Sequence, residues 1–437
     1  MNGLTIIGKT NWRNQNQPFG IKDQDRLQHI YCLGKTGVGK STLLLNMAIS
    51  DIKRGHGIAV LDPHGDLSRT LLNYVPANRI KDVIYFNPSD SAFPIAFNPL
   101  ADVPMDKHHL ATSGIISALK RIWWENWGPR LEHILRFSLL TLLAYRDATL
   151  LDVHPLLTNS VFRNKVLSAI DDIHLISFWR DEFEKYSPSL KAEAISPILN
   201  KLGVFKASSI LRNIVGQKDQ AWTMQDVMDT KKLFIANLAK GEIGEEVTTL
   251  LGSMLLTAIQ LSALNRSSIP ETQREPFYAY IDEAHSFINF SLVDILSESR
   301  KFKLSLFLCH QYIEQLPEAI RSAVFGNIGT LISFRVSNED GFYLAKEFFP
   351  IFKEDDFINL TKYSIYIRLL IDGVTCKPFS AATMPLPYVD ASFSQEITMQ
   401  SKKQYCRPRV EVEQGIKQRL YWQAKGEAVF QNELFET

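Results

Sequence analysis

Residues Gly34-Lys35-Thr36-Gly37-Val38-Gly39-Lys40-Ser41 restrict what this chain can fold into more than any other stretch. They fit G-x-x-x-x-G-K-[ST], a turn that is meaningful only between a strand and a helix. Both flanks are present. His29-Ile30-Tyr31-Cys32-Leu33 is an apolar run of strand length, and Thr42-Leu43-Leu44-Leu45-Asn46-Met47-Ala48 reads as a helix leaving the turn. The glycines let successive backbone N–H groups face one anion, and the positive end of the helix points at the same place. The ligand expected along Gly34 to Thr42 is a triphosphate, with Lys40 on its β- and γ-phosphates and Ser41 on Mg²⁺.

A second stretch, Phe277-Tyr278-Ala279-Tyr280-Ile281-Asp282-Glu283, puts two carboxylates at the end of an apolar run. Open α/β sheets bind ligands at the carboxyl ends of their strands. A paired acid there can simply cap the next helix. Beside a phosphate loop, the stronger reading is that Asp282 holds Mg²⁺ through water and Glu283 polarises the attacking water. Gln311 follows the apolar run Leu304 to Cys309 and is the candidate sensor of the γ-phosphate, because an amide both donates to phosphate and accepts from water. Arg300 and Arg335 are the candidates for an arginine supplied to a neighbouring subunit's site. Asp62 ends the run Gly57 to Leu61 and belongs beside the triphosphate; with His64 and Asp66 it reads as a turn near the site rather than as a metal centre.

The two stretches lie about 240 residues apart, too far for a few strand-helix units, so something is inserted between them. After Asn98-Pro99-Leu100 the pattern changes to a 3.6-residue period, as in Leu131, Ile134, Leu135, Leu139 and Leu142. We expect residues 1–100 to form the N-terminal part of an α/β core, 101–230 an inserted all-α domain, 231–384 the rest of the core, and 385–437 a solvated tail. The fold class is therefore α/β with a mostly parallel sheet, because strands alternate with helices. A hairpin is expected from Ser364 to Leu370 with Thr375 to Ala381, turning at Asp372-Gly373. Trp123, Trp124 and Trp127 read as helix packing.

Across 437 residues the chain is 45% hydrophobic and 22% charged, an ordinary globular balance. A net charge of +1 excludes global electrostatic steering of nucleic acid, so any DNA surface must be local. Lys201, Lys206, Arg212 and Lys218 are candidates for it. The four cysteines show no metal spacing, and Cys32 and Cys309 fit a reduced core. No apolar run reaches the roughly 18 residues of a membrane span, and no signal peptide pattern opens the chain, so a cytoplasmic protein without an integral membrane segment is expected.

These residues together resemble the FtsK/HerA superfamily of ring-forming DNA-pumping ATPases, and within it the coupling-protein ATPases of conjugation and type IV secretion. The resemblance runs from about Phe19 to Thr383 and rests on His29 to Thr42, Leu61 to Leu67, the helical insert, Tyr280 to Ala284, Leu296 to Lys301, His310-Gln311, Gly326 to Thr330 and Phe334-Arg335. It implies a RecA-like core, ATP and Mg²⁺ as cofactors, a hexameric ring, and DNA, single- or double-stranded, driven through a central pore. Lys40 and Ser41 then bind the nucleotide, Asp282 and Glu283 catalyse, Gln311 senses, and Arg300 acts in trans. A relaxase, a nuclease or a secretion channel would be the partner. Membrane-bound coupling proteins carry transmembrane helices ahead of the core and HerA proteins a small β-barrel; here about 27 residues precede the first core strand. Two other functions fit the same motifs: a secretion or packaging motor with little DNA affinity of its own, and an ATP-gated scaffold in a defence complex.

Overall fold

The computed structural model of the protein describes residues 3–11, 13, 15–288 and 291–420. It divides into two compact units. Among the described residues, the first takes those within 3–86, 224–241 and 262–401, and the second those within 87–223, 242–261 and 402–420.

The first unit is built on thirteen strands: β1 (Leu4–Thr10), β2 (Pro18–Lys22), β3 (Ile30–Leu33), β4 (Gly57–Asp62), β5 (Val83–Phe86), β6 (Leu233–Asn237), β7 (Phe277–Ile281), β8 (Leu304–His310), β9 (Thr330–Ser333), β10 (Ser364–Arg368), β11 (Leu370–Ile371), β12 (Val374–Thr375) and β13 (Phe379–Thr383). Eleven of them form one sheet in the order β2-β1-β13-β10-β9-β3-β8-β7-β4-β6-β5. From β9 to β5 every pair is parallel. From β9 to β2 every pair is antiparallel. The sequence explains the division. The parallel strands are continuous apolar runs buried at every position, as strands covered by helices on both faces must be, whereas β10 alternates buried and half-buried residues.

Two parts of this sheet differ from the sequence expectation. The N-terminal residues supply β1 and β2, which pair as a hairpin with a register shift between Ile6 and Gly8. The expected hairpin is split: β10 pairs with β13 in the main sheet, while Asp372-Gly373 turns a separate two-stranded ribbon, β11 with β12. Asp372 (φ 51°) and Gly373 (φ 77°) are both left-handed, as a tight two-residue turn demands.

Arg26 ties the unit together beneath the sheet. It is 1% exposed, donates to both oxygens of Asp51 at 2.6 and 2.9 Å and to Tyr280 Oη at 2.8 Å, and lies 3.7 Å from the centre of the Tyr278 ring. The helix Lys40–Lys53 is thereby fastened to β7. Cys32 and Cys309 are register partners on β3 and β8; both are buried and free, and burial pushes the Cys309 thiol up.

The second unit is helical apart from an isolated bridge between Ile95 and Cys406. Its helix Pro129–Ala144 starts with proline at the first turn and buries Leu131, Ile134, Leu135, Leu139 and Leu142, the periodic set. Buried Thr141 accepts from Trp179 Nε1 at 2.8 Å. Trp123, Trp124 and Trp127 do not form a core: Trp124 is exposed, and the other two are half-buried. The segment after Pro385, read as a solvated tail, contains the helix Ser394–Tyr405, in which Ile397 and Ser401 are buried. Val412 and Ile416 are buried further on. Apolar residues every fourth position or so are enough to seat a polar helix, and they are sparse enough to look like a tail. The tail's last residues, 421–437, lie outside the described residues.

One helix, Glu245–Ser268, is long and apolar enough to cross a membrane, and 83% of its most apolar window is buried inside the protein, as in a core helix.

Candidate nucleotide site

The phosphate loop leaves β3 between the exits of the two strands that flank it, β8 and β9. Gly34 N–H donates to the His310 carbonyl at the end of β8 (3.3 Å), and Lys35 N–H to the Arg335 carbonyl just past β9 (2.9 Å). Val38 is buried in the core and pins the crest of the loop. Gly39 has φ 122°, a backbone that disfavours any side chain, and a Cβ there would stand 2.7 Å from Tyr363 Cδ1. The helix begins at Lys40. Lys40 is 6% exposed, and its ammonium donates to the carbonyls of Gly34 (2.5 Å) and Lys35 (3.1 Å), curled back over its own loop.

The acids reach the same place from β7, which is separated from β3 by β8 alone. Ser41 Oγ lies 3.5 Å from Asp282 Oδ2. Asp282 is 5% exposed, and its carboxyl is pushed up to about 7 by burial first and then by the charges of Glu283 and Asp62, with Lys40 opposing. Ser41 and Asp282 offer hard oxygen donors of the kind Mg²⁺ takes alongside phosphate oxygens and water. Among the described residues no group of three His, Cys, Asp or Glu could hold a metal unaided.

Glu283 has φ 43°, left-handed for a residue with a side chain, so the chain turns sharply as it leaves the sheet. Its Oε1 accepts from Gln311 Nε2 at 2.7 Å, and its Oε2 is 3.4 Å from His285 Nδ1. The sensor candidate and the base candidate therefore touch each other. Asp62 sits differently from a ligand. Both its oxygens accept backbone amides, from His64 (2.9 Å) and Ser68 (2.7 Å), which fixes the turn into the helix Asp66–Leu72; its charge still reaches Asp282.

Both arginine candidates are exposed. Arg335 stands beside the loop of its own chain through the Lys35 hydrogen bond. Arg300 lies in the turn Ser299–Phe302, ahead of β8 and at the opposite end of that strand from Gln311. It therefore takes no part in its own chain's site. That turn is anchored by His29, whose Nδ1 accepts from Leu306 N–H (3.0 Å) and whose Nε2 is 3.2 Å from Ser299 Oγ. Of the proposed DNA contacts, Lys201 is buried, Arg212 donates to the Lys206 carbonyl (2.8 Å), and burial holds the Lys206 ammonium low. Only Lys218 of the four is exposed.

Sequence reasoning missed His285 and Tyr363, and named His310 only as the neighbour of Gln311. The spacing of His285 from Glu283 is visible in the sequence, but nothing local marks it as a partner. His310, buried against Tyr31 Oη, is held neutral by burial, with its ring pushed down to about 3.

A phosphate loop on one strand, paired acids on a second and a polar residue on the strand between them define a P-loop α/β protein with a RecA-like core. Residues 7–275 match the family described as the central domain of the helicase HerA, and the chain belongs to that family. No curated protein matches it. Among solved structures it is similar to the plasmid coupling protein TrwB in complex with ADP and Mg²⁺, at 14% identity over 85% of this chain and 89% of that one, with a TM-score of 0.63. TrwB with the non-hydrolysable ATP analogue ADPNP gives 14% identity over 84% and 87% and a TM-score of 0.62. VirB4 of Thermoanaerobacter pseudethanolicus gives 13% identity over 89% and 98% and a TM-score of 0.58. These likenesses are of fold.

Proposed function

We infer that the protein is an ATP-driven DNA translocase that hydrolyses ATP between the subunits of a ring. The observation that carries the reading is the convergence of Lys40, Ser41, Asp282, Glu283 and Gln311 at the exits of β3, β7 and β8. The family supports it, because HerA is a helicase, and the TrwB structures support it, because a plasmid coupling protein of this fold takes ADP with Mg²⁺ and an ATP analogue.

In this reading the amides from Gly34 to Thr42 (Lys35, Thr36, Gly37, Val38, Gly39 among them) cradle the phosphates, and Lys40 exchanges its two carbonyl partners for β- and γ-oxygens. Ser41 and Asp282 hold Mg²⁺, which supplies charge neutralisation at the β- and γ-phosphates when bound. Glu283 orients the attacking water and takes its proton. Gln311 gives up Glu283 to meet the γ-phosphate, so that binding frees the base. Asp62 positions the turn beside Asp282. Arg300, exposed at the far end of β8, serves the next subunit's site; Arg335, beside the loop, is the second candidate. Conjugative or mobile-element transfer is the setting, with a relaxase, nuclease or secretion channel as partner.

A mixing experiment tests the shared site. Lys40→Ala should abolish ATP hydrolysis, and Arg300→Ala should slow it about a thousandfold, the usual loss for an arginine acting in trans. Mixed at ring-forming concentration they should regain part of the rate, because some interfaces then carry both groups intact. No regain, with both variants assembling normally, would sink hydrolysis between subunits.

A further inference from the structure

Tyr363 is an exposed aromatic that touches the phosphate loop itself. Its amide donates to the Val38 carbonyl at 2.9 Å, and its ring edge lies against Gly39, where an added Cβ would meet Cδ1 at 2.7 Å and Cε1 at 3.3 Å. The ring starts at the loop, yet the residue stays 42% exposed. Its backbone is held at φ 65°, a left-handed conformation that is uncommon and costly for a bulky residue. Two hydrogen bonds over-determine it: Tyr363 to Val38, and Thr383 N–H to the Tyr363 carbonyl at 2.9 Å. The Lys362 ammonium lies 5.0 Å from the ring centre, and Phe334 also borders Gly39, with its Cε1 3.2 Å from where a Cβ would stand.

Strain kept at a site and an aromatic left in water beside it both need a reason. A ring that only propped the loop would be buried, as Val38 and Phe334 are. The loop amides account for the phosphates of a nucleotide and leave its flat base without a partner among the site residues above. We propose that Tyr363 is the stacking platform for the nucleobase of the nucleotide held by Gly34 to Thr42. This rests on the nucleotide reading above and adds the recognition of the base to it. Stacking uses a π-face that every base has, so Tyr363 confers affinity for nucleotides over bare polyphosphate and little preference among bases.

Calorimetric titration of Mg-ATP and of Mg-tripolyphosphate, which has the phosphates and no base, separates the contributions. Tyr363→Ala should weaken ATP about ten- to a hundredfold, the usual worth of one base stacked on an aromatic, and leave tripolyphosphate within about twofold. Tyr363→Phe should keep both. Equal weakening of ATP and tripolyphosphate in the alanine protein would show that the ring only supports the loop. Unchanged ATP affinity, or a parent protein that binds ATP no tighter than tripolyphosphate, would likewise overturn the stacking role. A parent that binds neither would remove the nucleotide reading itself.

Discussion

At the scale of single residues, the site works through side chains whose charge is set by what surrounds them. Two histidines show the cost of that arrangement. Burial pushes His29 down to about 4 and His310 to about 3, so both are neutral in the folded chain, while the unfolded chain binds their protons near 6.5. A folded pKa below the unfolded one means stability that is complete above about 6.5 and lost as pH falls toward 4 and below. The thermal midpoint should fall steeply between those values, and His29→Gln should show a shallower fall whatever its midpoint at neutral pH. Parallel pH profiles for the two proteins would contradict it. The grouping of Lys40, Ser41, Asp282, Glu283 and Gln311 was legible in the sequence because Lys40 and Ser41 lie inside the motif and the other three end or follow apolar runs. His285 and Tyr363 were not, since a contact with Glu283 or Gly39 depends on how the chain folds back and leaves no local pattern.

Among elements, legibility followed burial. Strands β3, β4, β6, β7 and β8 are buried on both faces and announce themselves as unbroken apolar runs. Strands β1 and β2 sit at the antiparallel end of the sheet and are only partly buried; β2 pairs with β1, and β1 depends on β13 more than 360 residues away, with Gly8 opposite Thr383. Their partner, not their composition, makes them strands. The attachment of the helix Lys40–Lys53 to β7 also belongs to this scale. Arg26→Ala leaves Asp51, itself fully buried, without its cation, and should cost about 3–5 kcal/mol in urea unfolding. Replacing both partners, Arg26→Met with Asp51→Leu, should cost much less, because no uncompensated charge remains. A double variant as unstable as the sum of the singles would show that the pair acts through packing alone.

For the whole molecule, the helical period after Leu100 is plain in the sequence, whereas the contribution of residues 242–261 and 402–420 to the same compact unit carries no marker there. On the translocase reading proposed above, a near-neutral chain with no overall field to draw DNA in would hold it by local contacts repeated around a ring. The central claim is that hydrolysis at the loop is coupled to DNA, and steady-state ATP turnover with and without single- and double-stranded DNA measures it most directly. The account predicts that at least one form of DNA raises the rate severalfold at low salt, that added salt removes the stimulation, and that Lys40→Ala abolishes turnover under every condition. A rate abolished by Lys40→Ala yet indifferent to both forms of DNA would contradict it.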